Sequence, residues 1–148
     1  MPAFITEQIK EIAEQLDCGF RAFYHKNTGE LIFVPNNDQH DMDTSAWTKE
    51  LKRLENNFMD YCEIDAMESG DSFQVMVDFT EQLVATKLKE KLVKALNKKK
   101  PFREFKFVID NSGKHRQEWF DFKNKRYYEW TEQQLSVVNN QANENDCH

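Results

Sequence analysis

The chain has 148 residues, a length that fits one domain burying roughly 68–70% of the surface that its unfolded chain exposes. Apolar residues make up 39% and aromatic residues 13% of the sequence, which predicts a packed core and excludes a disordered chain. The net charge of −6 is unevenly distributed: residues 1–82 carry 6 Lys and Arg against 17 Asp and Glu, whereas residues 83–148 carry 14 against 9.

The first quarter of the chain predicts a helix followed by a β-hairpin. Apolar residues at helical spacing predict an amphipathic helix from Thr6 to Leu16, with Thr6 as its N-cap. Alternating apolar and polar residues predict a strand over residues 20–25, and residues 30–34 supply its antiparallel partner. The loop from Lys26 to Gly29 has the length and the glycine of a hairpin connection.

The rest of the chain predicts one more strand and otherwise helices. A second helix is expected after a Thr44 or Ser45 cap, and alternation over residues 61–66 indicates a third strand. Helical spacing then predicts four helices: one opening at residues 69–72, one over about 82–96, one from Pro101 and one over about 114–138. Residues 107–109 taken alone also fit a strand.

This order of elements predicts an α+β fold. Because the strands do not alternate with helices as βαβ units require, we expect a small, mostly antiparallel sheet made of the N-terminal hairpin and the third strand. About five or six helices cover it, and the C-terminal half is all-helical. We expect a single globular domain over residues 1–138 and a flexible C-terminal tail over residues 139–148.

The sequence also bears on where the protein works. Its three cysteines have no CxxC spacing, so neither a disulfide framework nor a zinc site is indicated, and a reducing compartment is expected. The chain has no apolar run long enough to cross a bilayer, and its first residues do not resemble a secretion signal. We therefore expect a cytoplasmic protein that does not associate with a membrane.

No motif for catalysis or for cofactor binding is found. The four glycines are isolated, which argues against a phosphate-binding loop. The acidic stretch from Asp38 to Asp43 lacks the glycine and the closing glutamate of a calcium loop. We therefore expect no catalytic residue, no metal and no cofactor. An enzyme with an unrecognised site remains the alternative, in which Glu63, Asp65, His25 or Arg116 would converge in one pocket.

The most distinctive feature of the sequence is basic. Lysines at intervals of four, three and four residues form one stripe along a predicted helix, about 100° round from its leucine face. The predicted binding residues of this surface are Lys87, Lys91, Lys94, Lys98, Lys99, Lys100 and Arg103, with Lys106 as an extension. Aromatic residues such as Phe102 would offer stacking platforms if exposed, but the spacing of Phe102 and Phe105 favours a place in the core.

A second candidate site lies in the predicted last helix. Arg116, Trp119 and Arg126 place guanidinium groups beside aromatic rings, which fits either a pocket or a structural clamp. Because a partly buried arginine commonly pairs with a carboxylate, the clamp is favoured, with Asp110, Asp121 or an acid of the first half as the partner.

Three stretches of the chain resemble an uncharacterised bacterial protein family. They are the opening helix and hairpin with residues 27–30, the Pro-Phe-x-x-Phe motif within residues 100–106, and the Arg-x-x-Trp-Phe motif within residues 116–122 followed by Arg126 and Tyr127. The resemblance extends over about residues 5–135. It implies one coherent domain and brings no activity, cofactor or catalytic residue.

The sequence therefore favours a non-enzymatic binding or interaction module that uses the basic surface. With a sequence pI near 5.3, a protein partner or self-association is expected in preference to nucleic acid. A homodimeric structural or regulatory protein is a further alternative.

Overall fold

The computed structural model of the chain describes residues 3–36, 44–84 and 86–144, except for the side chains of residue 86 and residues 137–144. Within them the fold is α+β, as predicted, with a small antiparallel sheet and a helical C-terminal half. The strands are β1 (Phe20–His25), β2 (Leu31–Pro35) and β3 (Tyr61–Ile64). The helices are α1 (Thr6–Asp17), α2 (Thr48–Asn56), α3 (Ser69–Gln82), α4 (Thr86–Leu96), α5 (Pro101–Asp110) and α6 (His115–Glu144).

The sheet has the order β2-β1-β3, with both neighbours antiparallel to β1. The predicted hairpin is confirmed: Phe23 lies opposite Ile32, and the intervening loop uses Gly29 at a φ of 75°. Glycine suits this position because a side chain would clash in the left-handed conformation. β3 extends the sheet on the other side of β1, where Ala22 lies opposite Ile64.

Both faces of the sheet are covered, which follows from the alternation of β1. Ala22 and Tyr24 point to one face and pack with Ile12 and Leu16 of α1. Phe23 points to the other face and forms a second cluster, which includes Ile32, Val34 and Tyr61 and is flanked by Trp47, Leu51 and Leu54. The period of two in the sequence therefore translates directly into two apolar layers.

The chain divides into two compact units. The sheet unit comprises Met1–Ala66 and Tyr127–His148, and the helical unit comprises Met67–Arg126. The charge divides in the same way: the sheet unit carries 6 Lys and Arg against 17 Asp and Glu, and the helical unit carries 14 against 9. The net formal charges are therefore −11 and +5, and the basic surface predicted from the sequence belongs to the unit with the positive net charge.

The helical unit is built around aromatic and aliphatic side chains. Val75, Met76 and Phe79 of α3 are buried against Leu92 of α4 and against α5, and the cluster is completed by residues of α6. Phe105 and Ile109 are the buried residues of α5. Residues 107–109 are therefore helical, and the alternative of a strand there is wrong.

Several element boundaries differ from those expected. Ile5, rather than Thr6, occupies the N-cap of α1, and its backbone N–H donates to Oε1 of Gln8 at 3.1 Å. The fourth helix begins at Thr86, since Gln82 still belongs to α3. The backbone of α6 remains helical to Glu144, beyond the predicted end near residue 138.

Two further sequence expectations concern cysteines and membranes. Cys18 is exposed and free, and Cys62 is fully buried. Among the helices of the described residues, none is long and apolar enough to cross a membrane.

Candidate functional site

Helix α4 presents its lysines to solvent because its apolar residues face the core. Leu92 and Ala95 are buried at 0% and 2% exposure. At about 100° per residue, Lys87, Lys91 and Lys94 fall within an arc of roughly 60°, whose centre lies about 100° round the helix from the buried side. All three are exposed, as the sequence spacing indicates.

The basic surface continues through the connection between α4 and α5. Lys98, Lys99 and Lys100 lie beyond the last residue of α4 and are exposed. Pro101 then starts α5 as its first residue, a position where the missing N–H costs nothing. We call the following eight side chains the basic surface: Lys87, Lys91, Lys94, Lys98, Lys99, Lys100, Arg103 and Lys106, all of them exposed.

The carboxylates near the basic surface are too few to neutralise its positive charge. Residues 86–107 contain nine Lys and Arg but only two Asp and Glu. Lys98 and Arg103 share one of them, Glu104, at N–O distances of 3.7 and 3.8 Å. Within the part of the chain that the structure describes, the other six cations of the basic surface form no ion pair.

Two exposed phenylalanines border the basic surface. Phe102 is 44% exposed and Phe107 is 68% exposed. The expectation that Phe102 belongs to the core is therefore wrong: its ring only flanks Phe73, with centroids 6.4 Å apart. Sequence reasoning did not single out Phe107. Its position on α5 lies about 160° from each of the buried residues Phe105 and Ile109, so a helical projection would have placed it on the exposed face.

Arg116, Trp119 and Arg126 all belong to α6 but have different surroundings. Trp119 is buried at 9% exposure, with its ring centroid 4.8 Å from that of Phe105. Nε of Arg116 donates to Oδ1 of Asp110 at 3.2 Å, and Nη1 of Arg126 donates to Oδ2 of Asp78 at 2.7 Å. Each arginine thus has a carboxylate partner, and Trp119 packs in the core.

The aromatic rings around these arginines add cation–π contacts. The guanidinium carbon of Arg116 lies 4.7 Å from the ring centroid of Phe120, and that of Arg126 lies 5.8 Å from the centroid of Phe122. Arg126 therefore combines an ion pair with a ring contact. The ion pairs with Asp110 and Asp78 join α6 to α5 and α3 within the helical unit, whereas both ring contacts lie within α6. Such an arrangement needs no ligand to account for it.

The two motifs of the family resemblance meet in the core of the helical unit. Phe105 is the second phenylalanine of Pro-Phe-x-x-Phe, and Trp119 is the tryptophan of Arg-x-x-Trp-Phe. Their rings pack edge to face at an interplanar angle of 66°. The ring of Phe79, on α3, also contacts Trp119, with ring centroids 5.3 Å apart. These two motif residues therefore join α5 to α6, while Phe102 of the first motif faces outward.

The sheet unit contains a shallow apolar groove of about 160 Å³ between α2 and the sheet. Its lining is mainly apolar, with Arg21 and Glu55 among the polar side chains. Nε and Nη2 of Arg21 donate to the carboxylate of Glu63 at 2.9 and 2.8 Å. The groove therefore lies beside an ion pair that already engages Arg21, one of its two charged side chains.

The residues named for an unrecognised enzyme site make separate contacts. Glu63 is bound by Arg21, and Nδ1 of His25 accepts hydrogen bonds from the backbone N–H groups of Asn27 and Thr28. Arg116 is paired with Asp110. Among the described residues, no group of three or more His, Cys, Asp or Glu is placed to hold a metal ion. The acidic stretch from Asp38 to Asp43 lies outside the described residues.

Comparison with known proteins gives a family and no activity. A family model described as an uncharacterised protein family, UPF0158, matches residues 2–145. No curated protein and no solved structure matches the chain significantly. Because the family model covers nearly the whole chain, the chain belongs to the uncharacterised protein family UPF0158.

Proposed function

We propose that this chain is a non-enzymatic binding module of the bacterial cytoplasm, whose basic surface binds an anionic macromolecule. One observation carries the proposal: nine Lys and Arg stand against two Asp and Glu over residues 86–107. Eight of these nine cations, those of the basic surface, are exposed to solvent, and the ninth, Lys89, is half-buried.

The lysines of the basic surface repel one another, and this repulsion in the unbound protein supports a role for them in binding an anion. Lys87 and Lys91 are four residues apart on α4, and like charges at this spacing on a helix repel by about 0.2–0.5 kcal/mol per pair. An anionic partner would remove this repulsion on binding. It would also release the small counterions held near the lysines, which makes such binding strongly dependent on salt.

The enzyme alternative has less support. It requires several of Glu63, Asp65, His25 and Arg116 to converge in one pocket. The side chains of Glu63, His25 and Arg116 each already have a hydrogen-bond partner. The homodimer alternative draws on the opposite charges of the sheet unit and the helical unit, at −11 and +5. Sedimentation of the chain at low and at physiological salt tests it.

Retention on a heparin column, eluted with a salt gradient, tests the proposal. The triple variant Lys91→Glu, Lys94→Glu, Lys98→Glu should elute at a clearly lower salt concentration than the wild type, because three cations of the basic surface become anions. The matched control is Lys10→Glu, Lys49→Glu, Lys52→Glu, which makes the same change in net charge at exposed sites of the sheet unit. Equal elution of the two variants, or no retention of the wild type, would contradict the proposal.

A further inference from the structure

We infer that the anionic macromolecule is a single-stranded nucleic acid, with its phosphates on the lysines of the basic surface and its bases stacked on Phe102 and Phe107. This inference rests on the function proposed above and adds the class of partner. It departs from the expectation drawn from the sequence, which favoured a protein partner. The reason for the change is that the rings of Phe102 and Phe107 are exposed. The sequence pattern placed Phe102 in the core and did not single out Phe107.

The two rings are arranged around the cations of α5. At about 100° per residue, Phe102 and Phe107 lie roughly 140° apart on the helix, with Phe102 at the edge of the buried face and Phe107 opposite that face. Lys106 and Arg103 lie between them and are exposed. Each ring has a cation one helical turn away, Lys106 for Phe102 and Arg103 for Phe107, which is the interleaving of charge and aromatic surface that single-strand binding uses.

The exposed rings distinguish among anionic partners. In a duplex the faces of the bases are stacked inside the helix, so a phenyl ring at a protein surface has no base face to contact. A single strand exposes its base faces, and stacking on an aromatic ring is favourable for every base. Carboxylate side chains would pair with the lysines but offer no aromatic face to Phe107, which is 68% exposed to solvent.

The net charge of −6 does not oppose this inference. At physiological salt the Debye length is about 8 Å, so charges farther from the bound strand are largely screened. The strand therefore responds mainly to the local excess of cations on α4 and α5. The number of exposed cations fits a bound segment in the range of roughly 4–16 nucleotides that compact single-strand sites occupy.

Fluorescence anisotropy of a labelled oligothymidine of about 15 nucleotides tests the inference on the intact chain. A duplex of the same length and a polyglutamate chain serve as competitors. We expect the oligothymidine to bind more tightly than either competitor. Phe102→Ala and Phe107→Ala keep every charge and should each weaken binding by roughly 5-fold to 150-fold, the loss expected for one stacked base. Phe107→Trp should bind the oligothymidine as tightly as the wild type, because it keeps an aromatic face.

Phe58→Ala is the matched control, since Phe58 is a 56% exposed phenylalanine of the sheet unit. Its affinity should equal that of the wild type. If duplex and single strand bind equally and neither phenylalanine matters, or if polyglutamate binds best, the inference fails while the proposed function stands. If none of the three anionic probes binds, both fail. Circular dichroism checks that each variant is folded. We expect all of them to be folded, because the three rings are exposed.

Discussion

Arg126 and Asp78 form a direct ion pair, in which Nη1 of the arginine donates to Oδ2 of the aspartate at 2.7 Å. The pair joins α6 to α3 within the helical unit across 48 residues of sequence. Nε2 of Gln74 donates to the other carboxylate oxygen, Oδ1, at 2.8 Å. The hydrogen bond from Arg126 is the main cause, and that from Gln74 the second, of a pKa of Asp78 below its usual value.

The first prediction is that this pair contributes stability that depends on pH. A lowered pKa in the folded state stabilises the fold above the unfolded value of 3.8, and that stability is lost as the pH falls through the folded pKa. Asp78→Asn should lower the free energy of unfolding at pH 7 by up to about 1 kcal/mol, since both side chains are about one-third exposed. Urea unfolding at a series of pH values measures the difference.

The difference between Asp78→Asn and the wild type should shrink as the pH falls below 3.8. Asp65→Asn serves as the control, because Asp65 is an exposed aspartate whose side chain has no hydrogen-bond partner among the described residues. Its effect should be small at every pH. A destabilisation by Asp78→Asn that stays constant from pH 7 to pH 3 would show that the charge of Asp78 is not the source.

The Asp78–Arg126 pair also shows where sequence reasoning stops. An arginine on the last helix predicts a carboxylate partner, and Asp110 does pair with Arg116 six residues away. Which distant acid reaches Arg126 depends on how α3 packs against α6, and no local pattern encodes that. By contrast, the stripe of Lys87, Lys91 and Lys94 follows from helical spacing alone, because the leucines of α4 fix which side is buried.

Phe102 shows a second limit of sequence reasoning, which concerns how far a single side chain is buried. Its spacing from Phe105 fits a core stripe, but Phe102 lies at the edge of the buried face and only flanks Phe73. Spacing of three residues therefore places two side chains near each other without deciding how far each is buried. The core of α5 is instead centred between Phe105 and Ile109, which are 2% and 1% exposed.

The second prediction concerns Trp119, the ring that joins the two sequence motifs. Its centroid lies 4.8 Å from Phe105 and 5.3 Å from Phe79, so Trp119→Ala would leave a cavity lined by aromatic rings. We expect a loss of about 3–5 kcal/mol in the free energy of unfolding. Phe107→Ala is the control, because truncation of an exposed ring should change stability by no more than about 0.5 kcal/mol. Thermal unfolding of both variants compares them, and equal stabilities would contradict the packing described for Trp119.

The third prediction concerns Tyr24, which is 1% exposed and whose hydroxyl has no hydrogen-bond partner among the described residues. Tyr24→Phe removes that buried polar atom and should leave the free energy of unfolding unchanged or raise it by up to about 1 kcal/mol. Tyr61→Phe gives the contrast, because its hydroxyl donates to Oε1 of Glu30 at 3.4 Å. That variant should be neutral or slightly less stable.

The Tyr24 prediction extends to alkaline pH. Burial raises the pKa of Tyr24 above its ordinary value of 10.0. Above that value the unfolded chain loses the phenolic proton more readily than the folded chain, so stability falls as the pH rises. Tyr24→Phe cannot lose this proton, and its advantage over the wild type should grow above pH 10. Chemical unfolding at pH 9 and pH 11 measures the change, and a constant difference would contradict the burial of this phenol.

The fourth prediction compares two glycines with the same open surroundings and different backbones. A Cβ added at Gly70 or at Gly113 would meet no atom within 4 Å. Gly113 has a φ of +67° in the turn between α5 and α6, whereas Gly70 lies inside α3. Gly113→Ala should therefore lower the free energy of unfolding by about 1–2 kcal/mol, the cost of the left-handed conformation for a residue with a Cβ.

Gly70→Ala should raise the free energy of unfolding by up to about 1 kcal/mol, because alanine restricts the unfolded chain and fits a helix. Gly113→Asn should cost less than Gly113→Ala, since asparagine tolerates the left-handed region better. Urea unfolding of the three variants measures the order. Steric contacts do not differ between the sites, so an opposite sign at the two glycines isolates the backbone as the cause. If Gly113→Ala is as stable as Gly70→Ala, the turn that sets the start of α6 does not depend on a positive φ.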